Sequence, residues 1–181
     1  MNIICVKRIL VIKMSKKEYC ILEGGCFWCV AQPYYECDGV VNVYSGYTGG
    51  TEINPKYEDV KAQLTSHKEA VKIEYDSEVL SYKDILDIYF KTIDPFDFGG
   101  QFIDRGNSYT CTIYCHNDQM LELASSYIKS IEDKYNKKVA VSIEKEKTFY
   151  MAEEYHQDYA LKNPEAMEKE LIESGRKNNH I

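Results

Sequence analysis

The chain has 181 residues, 44% hydrophobic and 28% charged, a length and balance suited to one domain with a buried core. Its 29 acidic against 22 basic residues give a net charge of −7, which argues against nucleic acid as a partner, because neutralising a phosphate backbone takes clustered lysines and arginines. Seven cysteines, an odd number in a chain of this size, argue against a secreted disulfide framework and read as free, catalytic or redox-active thiols in a reducing compartment.

The opening MNIICVKRILVIKM is interrupted by Lys7 and Arg8 and is too short to span a bilayer, which takes ~20 apolar residues. It also lacks the unbroken apolar stretch and small-residue cleavage site of a secretory leader. Residues 1–16 are expected to form an N-terminal extension. Translation from an upstream start codon, with Met14 as a second start, is preferred over an added strand or helix and over a targeting segment. The domain itself is expected over 17–181.

Glu18 to Glu23 reads as a short buried strand ended by Gly24-Gly25, and Cys26 then opens a helix. Pro33 conflicts with a helix running from Phe27, so the regular helix is expected to start near Val30. Val40 to Tyr47 and the cleanly alternating Glu69 to Tyr75 are further strands. Ser81, with Asp84 three residues on, opens a helix that carries Ile85, Leu86, Ile88, Tyr89 and Ile93. Asp94 to Ser108 is a long loop, of the kind that often serves function. Tyr109 to Cys115 is a strand, and Asn117 caps a long helix with Leu121, Ala124, Ile128, Ile131 and Tyr135 at helical spacing. Val139 to Ile143 is a strand, and Pro164 starts a helix over Glu165 to Glu173. This alternation predicts a single α/β (α+β) domain, a mixed β-sheet with helices packed on it and the reactive cysteine at the start of the first helix.

The stretch GGCFWC (24–29) is the chemical centre of the sequence. A cysteine at a helix start after a flexible turn is placed to ionise, and the thiolate is the nucleophilic form. The plain alternative is a small buried hydrophobe. Phe27 and Trp28, the one tryptophan, can wall a pocket for a small apolar group such as a methyl on sulfur. The tyrosines of VYSGYTGG, the acids of NPKYEDV and the DRGNSY segment are each weak signals alone.

Together these motifs resemble the peptide methionine sulfoxide reductase A family, which reduces the S epimer of methionine sulfoxide. The resemblance is carried by GGCFWC (24–29), SGYTGG (45–50), NPKYEDV (54–60), SHKEAVKIEYD (66–76), IDPFDFGGQFIDRGNSY (93–109), IYCHND (113–118), FYMAEEYHQDY (149–159) and KNP (162–164), in the family's order. It implies Cys26 as nucleophile, Phe27 and Trp28 as the methyl pocket, and Asp59 as the acid that protonates the sulfoxide oxygen. Tyr47 and Tyr109 would hydrogen-bond that oxygen, with Asp104 and Tyr159 near the substrate. No cofactor is implied. The partners implied are free or protein-bound methionine sulfoxide and a thioredoxin-like reductant, with no nucleic acid or membrane, in the cytoplasm.

No cysteine follows Cys115, whereas many family members keep resolving cysteines near the C-terminus. Cys29 is the preferred resolver, ahead of Cys37 or another internal cysteine and of direct reduction by an external thiol. Lys61 and Ser66 replace a common cysteine and glycine of the pattern, a change expected to act on loop geometry. His67, His116 and His156 are read as structural. A general thiol–disulfide oxidoreductase using Cys26 and Cys29 is the rival enzyme. A zinc site from Cys26, Cys29, Cys111 and Cys115 is disfavoured, since residues four apart on a strand lie ~13 Å apart.

Overall fold

The structure is a computed structural model and describes residues 16–178. All of the segment 1–16 except Lys16 therefore lies outside the described residues. The chain order is β1 (Lys17–Gly24), α1 (Phe27–Ala31), β2 (Val40–Thr48), α2 (Tyr57–Lys61), β3 (Lys68–Asp76), α3 (Tyr82–Thr92), β4 (Gly100–Gln101), β5 (Asp104–Arg105), β6 (Cys111–Cys115), α4 (Asp118–Tyr135), β7 (Val141–Lys145), β8 (Tyr150–Met151), α5 (Tyr159–Lys162) and α6 (Pro164–Glu173). Single 3₁₀ turns cover Gln32–Tyr34, Asn107–Tyr109, Glu154–His156 and Arg176–Asn178.

Six strands form one sheet in the order β7-β6-β1-β3-β2-β8. Every pair is antiparallel except β6 with β7. A parallel pair needs a long crossover, and α4 supplies it. The expected mixed sheet with packed helices is what the chain forms.

Strand periodicity decides which face meets the helices. On β3, Val71, Ile73 and Tyr75 point one way and join Cys20 and Leu22 of β1 and Cys111 and Ile113 of β6. Ile85, Leu86, Tyr89 and Phe90 of α3 and Met120 and Ala124 of α4 close over them. The other face buries Ile21, Ala70 and Tyr114. Beside them is an ionic group. Lys68 Nζ lies 3.2 Å from Glu23 Oε2 and donates to Thr112 Oγ1 at 2.7 Å. Tyr114 donates to Glu23 Oε1 at 3.0 Å. Burial pushes the Glu23 carboxyl up to about 7, against the pull of Lys68.

The helix signals act as read. Ser81 Oγ accepts from Asp84 N, and the Asp84 carboxylate accepts from Ser81 N. Asn117 Oδ1 accepts from Met120 N at 2.8 Å. Other expectations are corrected. The first helix begins at Phe27, not near Val30, because the chain tightens into a 3₁₀ turn at Gln32–Tyr34 and so accommodates Pro33. Tyr109 belongs to a 3₁₀ turn and the strand starts at Cys111. Leu121 of α4 faces outward at 44% exposure. The loop from Asp94 carries a two-stranded hairpin, β4 with β5.

Candidate active site

Strand β1 ends at the Gly24-Gly25 turn, and both positions are closed to a side chain. A Cβ on Gly24 would sit 2.8 Å from Ile93 Cγ2, and one on Gly25 would sit 2.6 Å from Arg176 Nη2. Gly25 also has φ +78°, in the left-handed region that favours glycine. The turn delivers Cys26 as the residue before α1, 8% exposed, with its carbonyl accepting from Cys29 N and Val30 N. Cys29, one turn later, is 2% exposed and packs in the same small cluster as Cys26. Both are free thiols.

The expectation of an ionised resting thiol is overturned. Cys26 is pushed well above the ordinary thiol value, first by the neighbouring Cys29 thiol, then by burial and by Glu69. Arg176 pulls the other way. A helix of five residues offers too little dipole to offset these effects.

Aromatic rings wall the site. Trp28 stacks on Tyr159 with centroids 3.8 Å apart and planes at 11°. Phe27 meets Trp28 at 5.8 Å and stacks on Tyr57 at 6.3 Å. His156 fills the space between them, 5.0 Å from Phe27, 5.4 Å from Trp28 and 4.3 Å from Tyr57. It is 1% exposed, burial lowers its pKa, and neither ring nitrogen has a hydrogen-bond partner among the described residues. Trp28 Nε1 is likewise buried without one.

The carboxyl beside Cys26 is Glu69, not Asp59. Glu69 is 3% exposed, and its Oε2 accepts from Phe27 N at 3.0 Å. Burial is the largest cause that raises its pKa to about 8, and Asp104 adds to it. The Phe27 amide, Tyr109 and Arg176 hold it back. Asp59 is exposed in the first turn of α2.

Tyr47 stands beside the site, its ring 6.0 Å from Phe27. It is fully buried, and its hydroxyl donates to Glu153 Oε2 at 2.7 Å, so that proton is already committed. The other oxygen of Glu153 accepts from Tyr57 N at 3.1 Å. Tyr57 is the tyrosine of this group that senses the site: burial raises its hydroxyl first, and Glu69 and Cys26 add to the rise. Tyr109 responds to burial and to Glu69, Tyr57, Asp104 and Cys26. Asp104 pairs with Arg176 Nη2 at 3.0 Å. Of the expected residues, Cys26, Cys29, Phe27, Trp28, Tyr47, Tyr109, Asp104 and Tyr159 come together, Tyr47 by its ring and not by a free hydroxyl proton.

The residues missed were Glu69 and Tyr57. Glu69 had a readable signal, since it shares its strand face with Val71, Ile73 and Tyr75, and a charge in that series is a buried charge. The cysteines at 111 and 115 lie in the main core, apart from the Cys26–Cys29 cluster, which removes the four-cysteine zinc arrangement. Cys37 packs at the edge of that same core. His67 is structural, accepting from Gly50 N at 3.3 Å and meeting Glu52 O at 2.7 Å. His116 stacks on Tyr19 at 4.6 Å. Ser66 ties its loop to Glu52 through Oγ at 2.9 Å, and Lys61 lies over the Tyr57 ring at 5.4 Å.

The family profile described as peptide methionine sulfoxide reductase matches residues 18–180. A peptide methionine sulfoxide reductase MsrA of Bacillus licheniformis is 44% identical over 164 residues, 90% of this chain and 91% of that protein. MsrA 2 of Staphylococcus aureus is 46% identical over 163 residues, 89% of this chain and 92% of its own. Among solved structures, reduced Mxr1 of Saccharomyces cerevisiae superposes with a TM-score of 0.77 at 31% identity, covering 83% of this chain and 87% of that one. Methionine sulfoxide reductase A of Corynebacterium diphtheriae gives 0.72 at 26% identity, covering 82% and 76%. With a family match over residues 18–180 and relatives at 44–46% identity covered over about nine-tenths of their length, the chain belongs to the peptide methionine sulfoxide reductase family.

Proposed function

We propose that the chain reduces the S epimer of methionine sulfoxide, free or in proteins, with Cys26 as nucleophile and Glu69 as the acid. The observation that carries this reading is the buried Glu69 carboxyl, tied to the Phe27 amide and still protonated near neutral pH. A sulfoxide sulfur is a poor electrophile until its oxygen is protonated or strongly hydrogen-bonded. Glu69 supplies the proton, and the Tyr57 and Tyr109 hydroxyls donate to the same oxygen. Phe27 and Trp28 hold the S-methyl group, with Tyr159 stacked behind the indole.

The Cys26 thiol gives up its proton as its sulfur attacks, and the S–O bond passes from substrate to enzyme. The products are methionine and a Cys26 sulfenic acid, so the substrate sulfur gains the two electrons that Cys26 loses. Cys29 then attacks the sulfenic sulfur, forming a disulfide and releasing water. A thioredoxin-like dithiol returns the pair to thiols by exchange. Thiol–disulfide exchange alone leaves the protonated Glu69 without a purpose.

Six free cysteines among the described residues favour a reducing, cytoplasmic setting. No described helix is long and apolar enough to cross a membrane. The test is a thioredoxin-coupled assay on both epimers with the wild type, Cys26→Ser and Glu69→Gln. Turnover of the S epimer that both substitutions abolish supports the assignment. Turnover of the R epimer instead, or an active Cys26→Ser protein, overturns it.

A further inference from the structure

Arg176 is a buried arginine that the reaction scheme above does not use. It sits in the 3₁₀ turn after α6, 6% exposed, 150 residues from Cys26 along the chain. Its guanidinium lies against the glycine turn that presents Cys26. Nη1 points to the Gly24 and Thr92 carbonyls at 3.4 Å each, and Nη2 pairs with Asp104 Oδ2 at 3.0 Å. The Phe102 ring lies 4.6 Å from the guanidinium carbon. The gap this group fills is the space a Gly25 side chain would otherwise occupy. Nε is buried with no hydrogen-bond partner among the described residues.

A buried arginine with one carboxylate partner and two long carbonyl contacts is poorly satisfied for a merely structural group, since five N–H donors are available. Its position has a simpler account. We infer that Arg176 is a positioning residue for the Cys26–Cys29 pair, a fixed positive charge behind the glycine turn that stabilises sulfur anions formed during attack and resolution. This rests on Cys26 being the nucleophile. Arginine suits the task because it stays charged when buried, and its planar fork can be clamped by Asp104 and by the Phe102 face.

The charges facing the pair come from several elements. Glu69 of β3 opposes ionisation of Cys26, as does Cys29 of α1, while Arg176 favours it. Tyr57 and Tyr109, from α2 and the 107–109 turn, both sense Cys26. Asp104 faces Glu69 and Arg176. Arg176 is thus the one cation among these neighbours in the described residues. At neutral pH Glu69 keeps its proton, so its opposition is muted while that of Arg176 to protonation is not. The end of the chain thereby delivers charge to the site.

The test reads thiolate formation without any sulfoxide. Alkylation of Cys26 by iodoacetamide is followed by peptide mass spectrometry from pH 6 to 9, below the thiol midpoint, in the full-length protein. There the rate follows the small thiolate fraction, and in Arg176→Gln it is expected to fall about tenfold at each pH, while Arg176→Lys stays nearer the wild type. If Arg176→Gln does not fold, Asp104→Asn/Arg176→Gln removes both charges together, leaves no unpaired buried ion, and is expected to show a fall in the same direction. An unchanged rate in the folded neutral variant overturns the proposal, as does an equal fall in Arg176→Lys. Neither result depends on methionine sulfoxide turnover, so a failure here is separable from a failure of the reductase assignment.

Discussion

The backbone N–H of Phe27 donates to Glu69 Oε2 at 3.0 Å, which fixes a buried acid to the same turn of chain that carries Cys26. The turn that presents the nucleophile therefore also anchors the acid that β3 supplies. Exposed Asp59 has no comparable anchor among the described residues.

Glu69→Gln is expected to lower kcat by about 10²-fold or more with a modest change in KM, because the proton matters most in the transition state. Asp59→Asn is expected to stay near wild-type rate. Steady-state kinetics on the S epimer decide it, and a slow Asp59→Asn beside a fast Glu69→Gln would reverse the assignment.

Stability should depend on pH through the same carboxyl. Its folded value of about 8 lies above the ordinary 4.5, so the folded protein binds more protons in between. The stability this carboxyl contributes is then full below about pH 4.5 and is lost as pH climbs toward 8. Glu23, raised to about 7, adds to the decline. Glu69→Gln should flatten the curve in part, leaving the share of Glu23. Thermal melts at pH 5, 6.5 and 8 measure this, and an unchanged slope would show that Glu69 ionises normally.

Cys29→Ser should separate chemistry from recycling. One equivalent of methionine per enzyme is expected in a single turnover, followed by a sulfenic acid that dimedone traps. Thioredoxin-driven turnover should fall by about an order of magnitude or more, since the fast intramolecular partner is gone. Full multiple turnover would assign resolution elsewhere.

The two tyrosines should part company. Tyr47→Phe removes the proton given to Glu153 and is expected to cost about 1–2 kcal/mol of stability with a rate within a few-fold of wild type. Tyr57→Phe is expected to keep the fold and slow reduction by about tenfold or more. Paired denaturant melts and rate measurements distinguish them.

Much of this molecule was readable in one dimension. Period-two alternation in Glu69 to Tyr75, the Ser81 and Asn117 caps and the glycine turn before Cys26 are local features, governed by steric and hydrogen-bonding rules that act over a few residues. The motif order around Cys26 carried the family and the fold. What local rules could not decide was which acid and which tyrosine face the sulfur. Asp59 and Glu69 are both plausible in a string, but only sheet pairing and helix packing bury one and leave the other hydrated. Tyr47 and Tyr57 are likewise told apart by Glu153, about a hundred residues downstream. The same holds for the protonation of Cys26, which depends on desolvation and on charges arriving from β3 and the C-terminal turn, quantities that exist only once distant segments share a site.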